Sequence, residues 1–186
     1  MKTVRNFLLL SIIALTASCS SIYGVSYDYD KNANFTQLKT YDWLPMPVTD
    51  VYDENEQIDT ISIKRIKAAV NNKLEAKGLE ISSENPDFLI AVYLRTKERL
   101  RSITYDGPYV YSYYGYGPYG VTSTIRQYEE GTLFLDFVDT KSKQLIWRGS
   151  AKSDLDSVTT PERRERVITE AVQKILDNFP PPTQPE

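Results

Sequence analysis

The chain has 186 residues, with 22 Lys and Arg, 25 Asp and Glu, one cysteine and no histidine, for a formal charge of −3. Without histidine, and with a single thiol, no Ser-His-Asp triad, Cys-His pair, zinc finger or imidazole metal site can be built. The mildly acidic balance is also unsuited to nucleic acid or anionic lipid, which attract clustered Lys and Arg. Carboxylates, serines, lysines and tyrosines remain for chemistry.

Residues 1–18 open with Lys2 and Arg5 and continue into an apolar run, 7–15, interrupted only by Ser11. A positive start before a short apolar core is the pattern of a secretory signal peptide. The run is too short for a bilayer, which takes about 20 apolar residues. Leu15-Thr16-Ala17-Ser18 then leads into Cys19, the only cysteine. This stretch resembles the lipobox of bacterial lipoproteins, where the signal peptidase cuts before the cysteine, its sulfur receives a diacylglycerol and its amine is then acylated. Thr16 stands where Leu is commonest in that motif. The competing reading is an ordinary signal peptide with a chance cysteine. A lone thiol with nothing to pair with would be out of place in an oxidising compartment, which favours the lipobox.

The resemblance implies a lipid on Cys19, loss of residues 1–18 and anchoring to the cell envelope. Two or more acyl chains hold a protein stably, whereas one holds it only marginally. Ser20 follows the cysteine where an Asp resembles the inner-membrane retention signal, so the expectation is the outer membrane, facing the periplasm. Loss of Lys2 and Arg5 leaves 20 basic against 25 acidic residues, a charge of −5.

The remainder, 19–179, has the length of one domain, with a Pro-rich tail at 180–186. Residues 21–30 alternate, with Val25, Tyr27 and Tyr29 on one side and Ser26, Asp28 and Asp30 on the other, as in a half-buried strand. A second short strand is expected at 40–44, stopped by Pro45 and Pro47. Residues 48–59 form an acidic connection without the spacing or central glycine of an EF-hand loop, so a solvated loop is expected, not a calcium site. Ile63, Ile66, Val70 and Leu74 then recur at helical spacing over 61–77, with Asp59 or Thr60 to cap the start and Gly78 to close the end. Residues 87–95 are apolar on both faces and belong in the middle of a sheet. The charged run 97–101 separates them from a further strand at 102–105.

Residues 130–152 carry the strongest hairpin signal. Leu133, Leu135 and Phe137 alternate along one arm, Leu145 and Trp147 share a face of the other, and 140–143 is a polar turn. A second helix starts at the N-cap Thr160 with Pro161 in its first position. It presents Val167, Ile168, Ala171, Val172, Ile175, Leu176 and Phe179 as one apolar stripe, ended by Pro180-Pro181-Pro182. The expected fold is α+β, a mainly antiparallel β-sheet with two helices packed on one face.

Several of these pieces resemble the bacterial lipoproteins of the domain-of-unknown-function 4136 family. They are Val25-Ser26-Tyr27-Asp28-Tyr29-Asp30, Phe35-Thr36-Gln37-Leu38-Lys39-Thr40-Tyr41-Asp42-Trp43-Leu44-Pro45, Glu130-Gly131-Thr132-Leu133 with Asp136, Leu145-Ile146-Trp147-Arg148-Gly149, and the last helix with Phe179-Pro180. The resemblance implies an envelope lipoprotein with an α+β domain. It brings no reaction, cofactor or catalytic residue.

Residues 105–120 hold seven of the chain's fourteen tyrosines, four glycines and two prolines. Glycine and proline at that density oppose regular structure, so the stretch reads as a long hairpin tip with arms at about 100–105 and 121–128. Either its tyrosines fold back on the sheet, or Tyr109, Tyr111, Tyr113, Tyr114, Tyr116 and Tyr119 form a recognition surface. Tyrosine offers a large amphipathic contact at low entropic cost, suited to protein or sugar. Three functions are weighed. The first is a non-catalytic, lipid-anchored envelope protein acting through contacts with other envelope components. The second is a binding module for glycan, peptidoglycan or an apolar ligand. The third is a hydrolase using two carboxylates, for which Asp136 and Glu129-Glu130 are the nearest candidates. Asp136 reads equally as a partner of Arg148 or Arg126, and Glu129-Glu130 as a solvated strand end. No cofactor, metal or nucleic acid is expected.

Overall fold

The computed structural model describes residues 22–45, 60–105 and 122–182. Six strands, β1 (Ile22–Tyr29), β2 (Thr40–Trp43), β3 (Glu80–Ile81), β4 (Phe88–Tyr105), β5 (Thr122–Asp139) and β6 (Leu145–Asp154), form one sheet in the order β1-β6-β5-β4-β2-β3. Helix α1 (Thr60–Glu75) follows β2, and α2 (Pro161–Leu176) follows β6. Both helices and the inner face of the sheet share one hydrophobic core, so the α+β class with helices on one face holds. The sheet is mixed at one end. β1, β6, β5 and β4 pair antiparallel, but β2 lies parallel to both β4 and β3, because α1 carries the chain back between β2 and β3.

The helices form where the periodicity places them. Ile63, Ile66, Val70 and Leu74 of α1 are all buried, and Gly78 ends the turn after it with φ +82°. Thr160 caps α2 by accepting the Arg163 N–H at 3.2 Å, and Pro161 starts it. Val167, Ala171, Val172, Ile175 and Leu176 are buried, whereas Ile168 is only half-buried, because it lies at the side of the stripe. Gly149 on β6 lets α2 approach: a Cβ there would sit 2.4 Å from both Ile175 Cγ2 and the Trp147 ring.

The centre of the core is aromatic. The Phe137 ring lies 4.9 Å from Phe88, 4.8 Å from Trp147 and 4.6 Å, edge-on, from Phe179, which follows α2. At the parallel end, Tyr41 Oη and Trp43 Nε1 of β2 donate to the same oxygen, Asn71 Oδ1 of α1, at 3.1 and 3.2 Å. Asp87 ties β2 to β4, accepting from the Lys39 and Thr40 amides at 2.8 and 2.9 Å.

Three expectations need correction. The charged run 97–101 does not interrupt the sheet. β4 runs unbroken for 18 residues, because its cations fall at every second position and all point away from the core. In the second arm of the hairpin, Leu145 and Trp147 do not share a face. The register shifts between Phe137 and Val138, which pair with Trp147 and Leu145, so Ile146 is an extra residue. Ile146 and Trp147 are therefore both buried and Leu145 is exposed. Finally β1 is an edge strand, exposed over most of its length, and only Ile22 in it is buried. A bulge at Gly24 (φ +57°) shifts its register between Tyr23 and Ser26.

Ile175 and Ile168 provide a test of how α2 faces the sheet. Ile175→Ala should cost about 2–5 kcal/mol in chemical denaturation, and Ile168→Ala roughly half as much or less. Equal costs would mean that α2 is rotated from the position described.

Candidate functional site

The hairpin of β4 and β5 has two halves with different surroundings. Up to the Lys97–Glu130 pair β6 pairs with β5, while β2 flanks β4 only over Phe88–Ile90. Beyond that pair, to Tyr105–Thr122, neither strand pairs with another among the described residues. This second half is a two-stranded ribbon about 25 Å long that projects from the domain. Directly paired residues share a face. Arg99, Arg101, Arg126 and Tyr128 therefore lie on the outer face, continuing the line of Arg95 and Lys97, while Leu100 and Ile125 lie on the helix side. Leu100 is 72 % exposed and Ile125 68 %. Arg101 faces Arg126 directly, a like-charge pairing that disfavours the ribbon by itself. Arg101 also lies 4.6 Å over the Tyr128 ring and 3.9 Å from Asp154 Oδ2.

The carboxylates singled out from the sequence sit at the base of this ribbon and along β5. Asp136 is buried and held by both arms of the Arg148 guanidinium, Nε donating to Oδ1 at 2.6 Å and Nη2 to Oδ2. That bond keeps the Arg148 proton more firmly than usual. Glu130 departs from the solvated strand end expected. It is 7 % exposed and lies among Tyr23, Arg99 and Lys152. It accepts from Tyr23 Oη at 3.2 Å and from Arg99 Nε and Nη2 at 3.3 and 3.2 Å, with Lys152 Nζ at 3.5 Å. Burial pushes its carboxyl up, but the Arg99 hydrogen bond and the charges of Lys152 and Arg99 outweigh this and hold it below its ordinary value of 4.5. Burial, a hydrogen bond with Tyr128 and the Glu130 charge push the Tyr23 phenol up. Glu129 points to the other face and is exposed; its amide donates to Asp156 Oδ1 at 3.3 Å.

Asp136 and Glu130 share a face but stand six residues apart on one strand, about 20 Å. Paired carboxylates of glycosidases stand roughly 5–10 Å apart. Each of these two is neutralised by its own cations and serves as a cross-strand tie. Among the described residues no group of three or more Asp, Glu or Cys is placed to hold a metal ion. No described helix is long and apolar enough to cross a membrane.

A feature absent from the sequence reading lies on the helix side. Between α1, α2 and the sheet, where the ribbon leaves it, is a cavity of about 320 Å³. Its walls are Ile66, Leu94, Leu133, Val167, Ile168 and Ala171, and Ile22 and Ser153, cross-strand neighbours, lie together at one edge. Ser153 is 6 % exposed and its Oγ has no hydrogen-bond partner. Small residues line it too, Ala151, Ser153 and Ala171 among them. The period-two cations Arg95, Lys97, Arg99 and Arg101 were visible as a pattern in the sequence, but a cavity assembled from four elements leaves no such trace. Cys19 and the tyrosines Tyr109, Tyr111, Tyr113, Tyr114, Tyr116 and Tyr119 lie outside the described residues, as does the acidic connection 48–59.

The chain belongs to the DUF4136 family, a domain of unknown function, whose family model matches residues 25–181. A structural neighbour is a PDZ domain protein from Parabacteroides distasonis, at TM-score 0.55 and 14 % identity, over 95 % of this chain. This chain spans 40 % of that protein's length. A DUF4136 family protein from Bacteroides thetaiotaomicron matches at TM-score 0.46 and 21 % identity, over 85 % of this chain and 96 % of the other. The PelC dodecamer from Paraburkholderia phytofirmans matches at TM-score 0.43 and 13 % identity, over 82 % and 94 %. No curated protein matches the sequence.

The Glu130 cluster makes stability acid-sensitive in one direction. A carboxyl held below its ordinary value contributes fully above that value, and the contribution is lost as pH falls through the folded value. Asp87 behaves alike: burial raises it, but the Lys39 and Thr40 amides and the Thr40 hydroxyl lower it further. Melting temperature should hold above about pH 5 and fall below it. Glu130→Gln should lower the neutral-pH value and flatten the acid limb, as followed by circular dichroism from pH 3 to 7. An unchanged acid limb would remove Glu130 from this role.

Proposed function

We propose that this chain is a non-catalytic, lipid-anchored protein of the cell envelope that acts by binding another envelope protein through its projecting hairpin. One observation carries the reading, the ribbon of β4 and β5 beyond Lys97 and Glu130. An isolated two-stranded hairpin is marginal in water, and this one adds facing arginines and the exposed Leu100 and Ile125. Its open edges and mixed apolar and cationic faces are of use to a partner and of none to the core. The tyrosine-rich connection, 106–121, joins the ribbon's two strands in the sequence. Family membership supports the reading only to the extent that it assigns no reaction.

The anchor belongs to the same proposal. It rests on the lipobox-like stretch before Cys19 and places the domain on the periplasmic face of the outer membrane. Cys19→Ser should abolish incorporation of labelled fatty acid and leave an unprocessed or soluble form. A variant that fractionates with membranes like wild type, together with a wild type that takes no label, would exclude the anchor.

Replacing 108–118 by a short Gly-Ser turn tests the binding surface. Melting temperature should stay within a few degrees, since the core of the described residues is complete without this stretch. Crosslinked partners in intact envelopes should be lost, and Leu100→Ser with Ile125→Ser should weaken the same crosslinks. A large fall in melting temperature would make the tyrosines part of the core. An unchanged crosslinking pattern would reduce the loop to a spacer, and retention by immobilised glycan strands would favour the sugar-binding alternative.

A further inference from the structure

The cavity between α1, α2 and the sheet is placed close to the proposed anchor. Its edge is formed by Ile22, the first described residue, and Ser153, which pairs with it across β1 and β6. Cys19 is three residues before Ile22, so chain length alone keeps the two within about 11 Å. Ile66, Leu94, Leu133, Val167, Ile168 and Ala171 give it an apolar wall, and Arg95, Glu129 and Arg164 also line it. Its 320 Å³ falls at the small end of the 300–1,000 Å³ usual for small-molecule sites.

The edge also carries an unmet requirement. A buried hydroxyl without a partner costs free energy, and native proteins rarely leave one so. Ser153 Oγ is such a group. A purely apolar occupant would leave it unmet, and water would meet it while leaving the walls dry. The occupant that suits both is a hydrocarbon chain with a carbonyl oxygen at its near end. An ester or amide carbonyl of a lipid tethered at Cys19 arrives at that edge on a short leash, at high effective concentration.

We infer that the cavity holds one acyl chain of the protein's own Cys19-linked lipid, with Ser153 Oγ donating to its carbonyl. The inference rests on the anchor reading of the previous section. A lipoprotein that withdraws one of three chains still inserts two, which is enough for stable attachment. The domain is thereby held against the membrane at the β1 edge, with the ribbon pointing away from the sheet.

Growth on a fatty acid bearing a terminal diazirine tests this on the full-length protein in its membrane. Irradiation should join the acyl chain to peptides containing Val167–Ala171 or Leu133 of the same molecule, read by mass spectrometry. Ser153→Ala should reduce that crosslink about fivefold, the worth of one hydrogen bond. Ala171→Leu, which fills the space, should remove it while melting near wild type; should it unfold, Ser153→Ala still decides. Absence of label on Cys19 defeats the anchor and this inference together. Label on Cys19 with crosslinks only to membrane lipid defeats this inference and leaves the anchor standing. Crosslinks between two molecules would assign the cavity to a neighbour's lipid and likewise overturn it.

Discussion

The packing around Phe137 is the constraint on which the rest depends. One ring contacts Phe88 on β4, Trp147 on β6 and Phe179 beyond α2, and so brings three strands and the end of a helix to one point. Such aromatic contacts add about 0.5–1.5 kcal/mol each beyond the area they bury. The bulge at Ile146 sets the register that puts Trp147 opposite Phe137, and Gly149 leaves the room that Ile175 needs beside it. Because α2 is fixed at this end by large rings, its other end lies over small residues, Gly131, Ala151 and Ser153, and the interface opens there into a cavity.

The outer face of the sheet is governed by charge. Asp136 with Arg148, and Glu130 with Arg99, Lys152 and Tyr23, tie neighbouring strands where no helix covers them. These pairs explain why carboxylates are buried in a strand without any catalytic arrangement. For Glu130, Arg99 and Lys152 offset the cost of burial and hold the carboxyl below its ordinary value, which lowers the basicity that acid–base chemistry needs. Farther along the hairpin the cations outnumber the acids, and the ribbon's strands pair with each other, with Arg101 near Asp154 and the Glu129 amide on Asp156 holding its base.

Apart from Ile22 in the core and Tyr23 in the tie to Glu130, the core, the aromatic cluster and the ties of the outer face lie within the residues matched by the family. The features on which the proposed function rests, Cys19 and the tyrosine-rich stretch 106–121, lie outside the described residues.

How much was legible in the residues themselves follows from range. Periodicity is local, so both helices, the Thr160 cap and the alternation of Leu133, Leu135 and Phe137 were determined by neighbours in the chain. The Asp136–Arg148 tie was one of two pairings weighed, because a hairpin brings its own arms together. What depended on distant segments was not legible. The parallel pairing of β2 needs α1 to return, and the burial of Glu130 needs Tyr23, Arg99 and Lys152 from three other strands. The exposure of Ile125 and Leu100 needs the helices to stop short of the ribbon. Sequence by itself determined which residues are apolar and at what period. The tertiary structure decided which of them meet and which charges are buried together, because those outcomes depend on contacts between residues far apart in the chain.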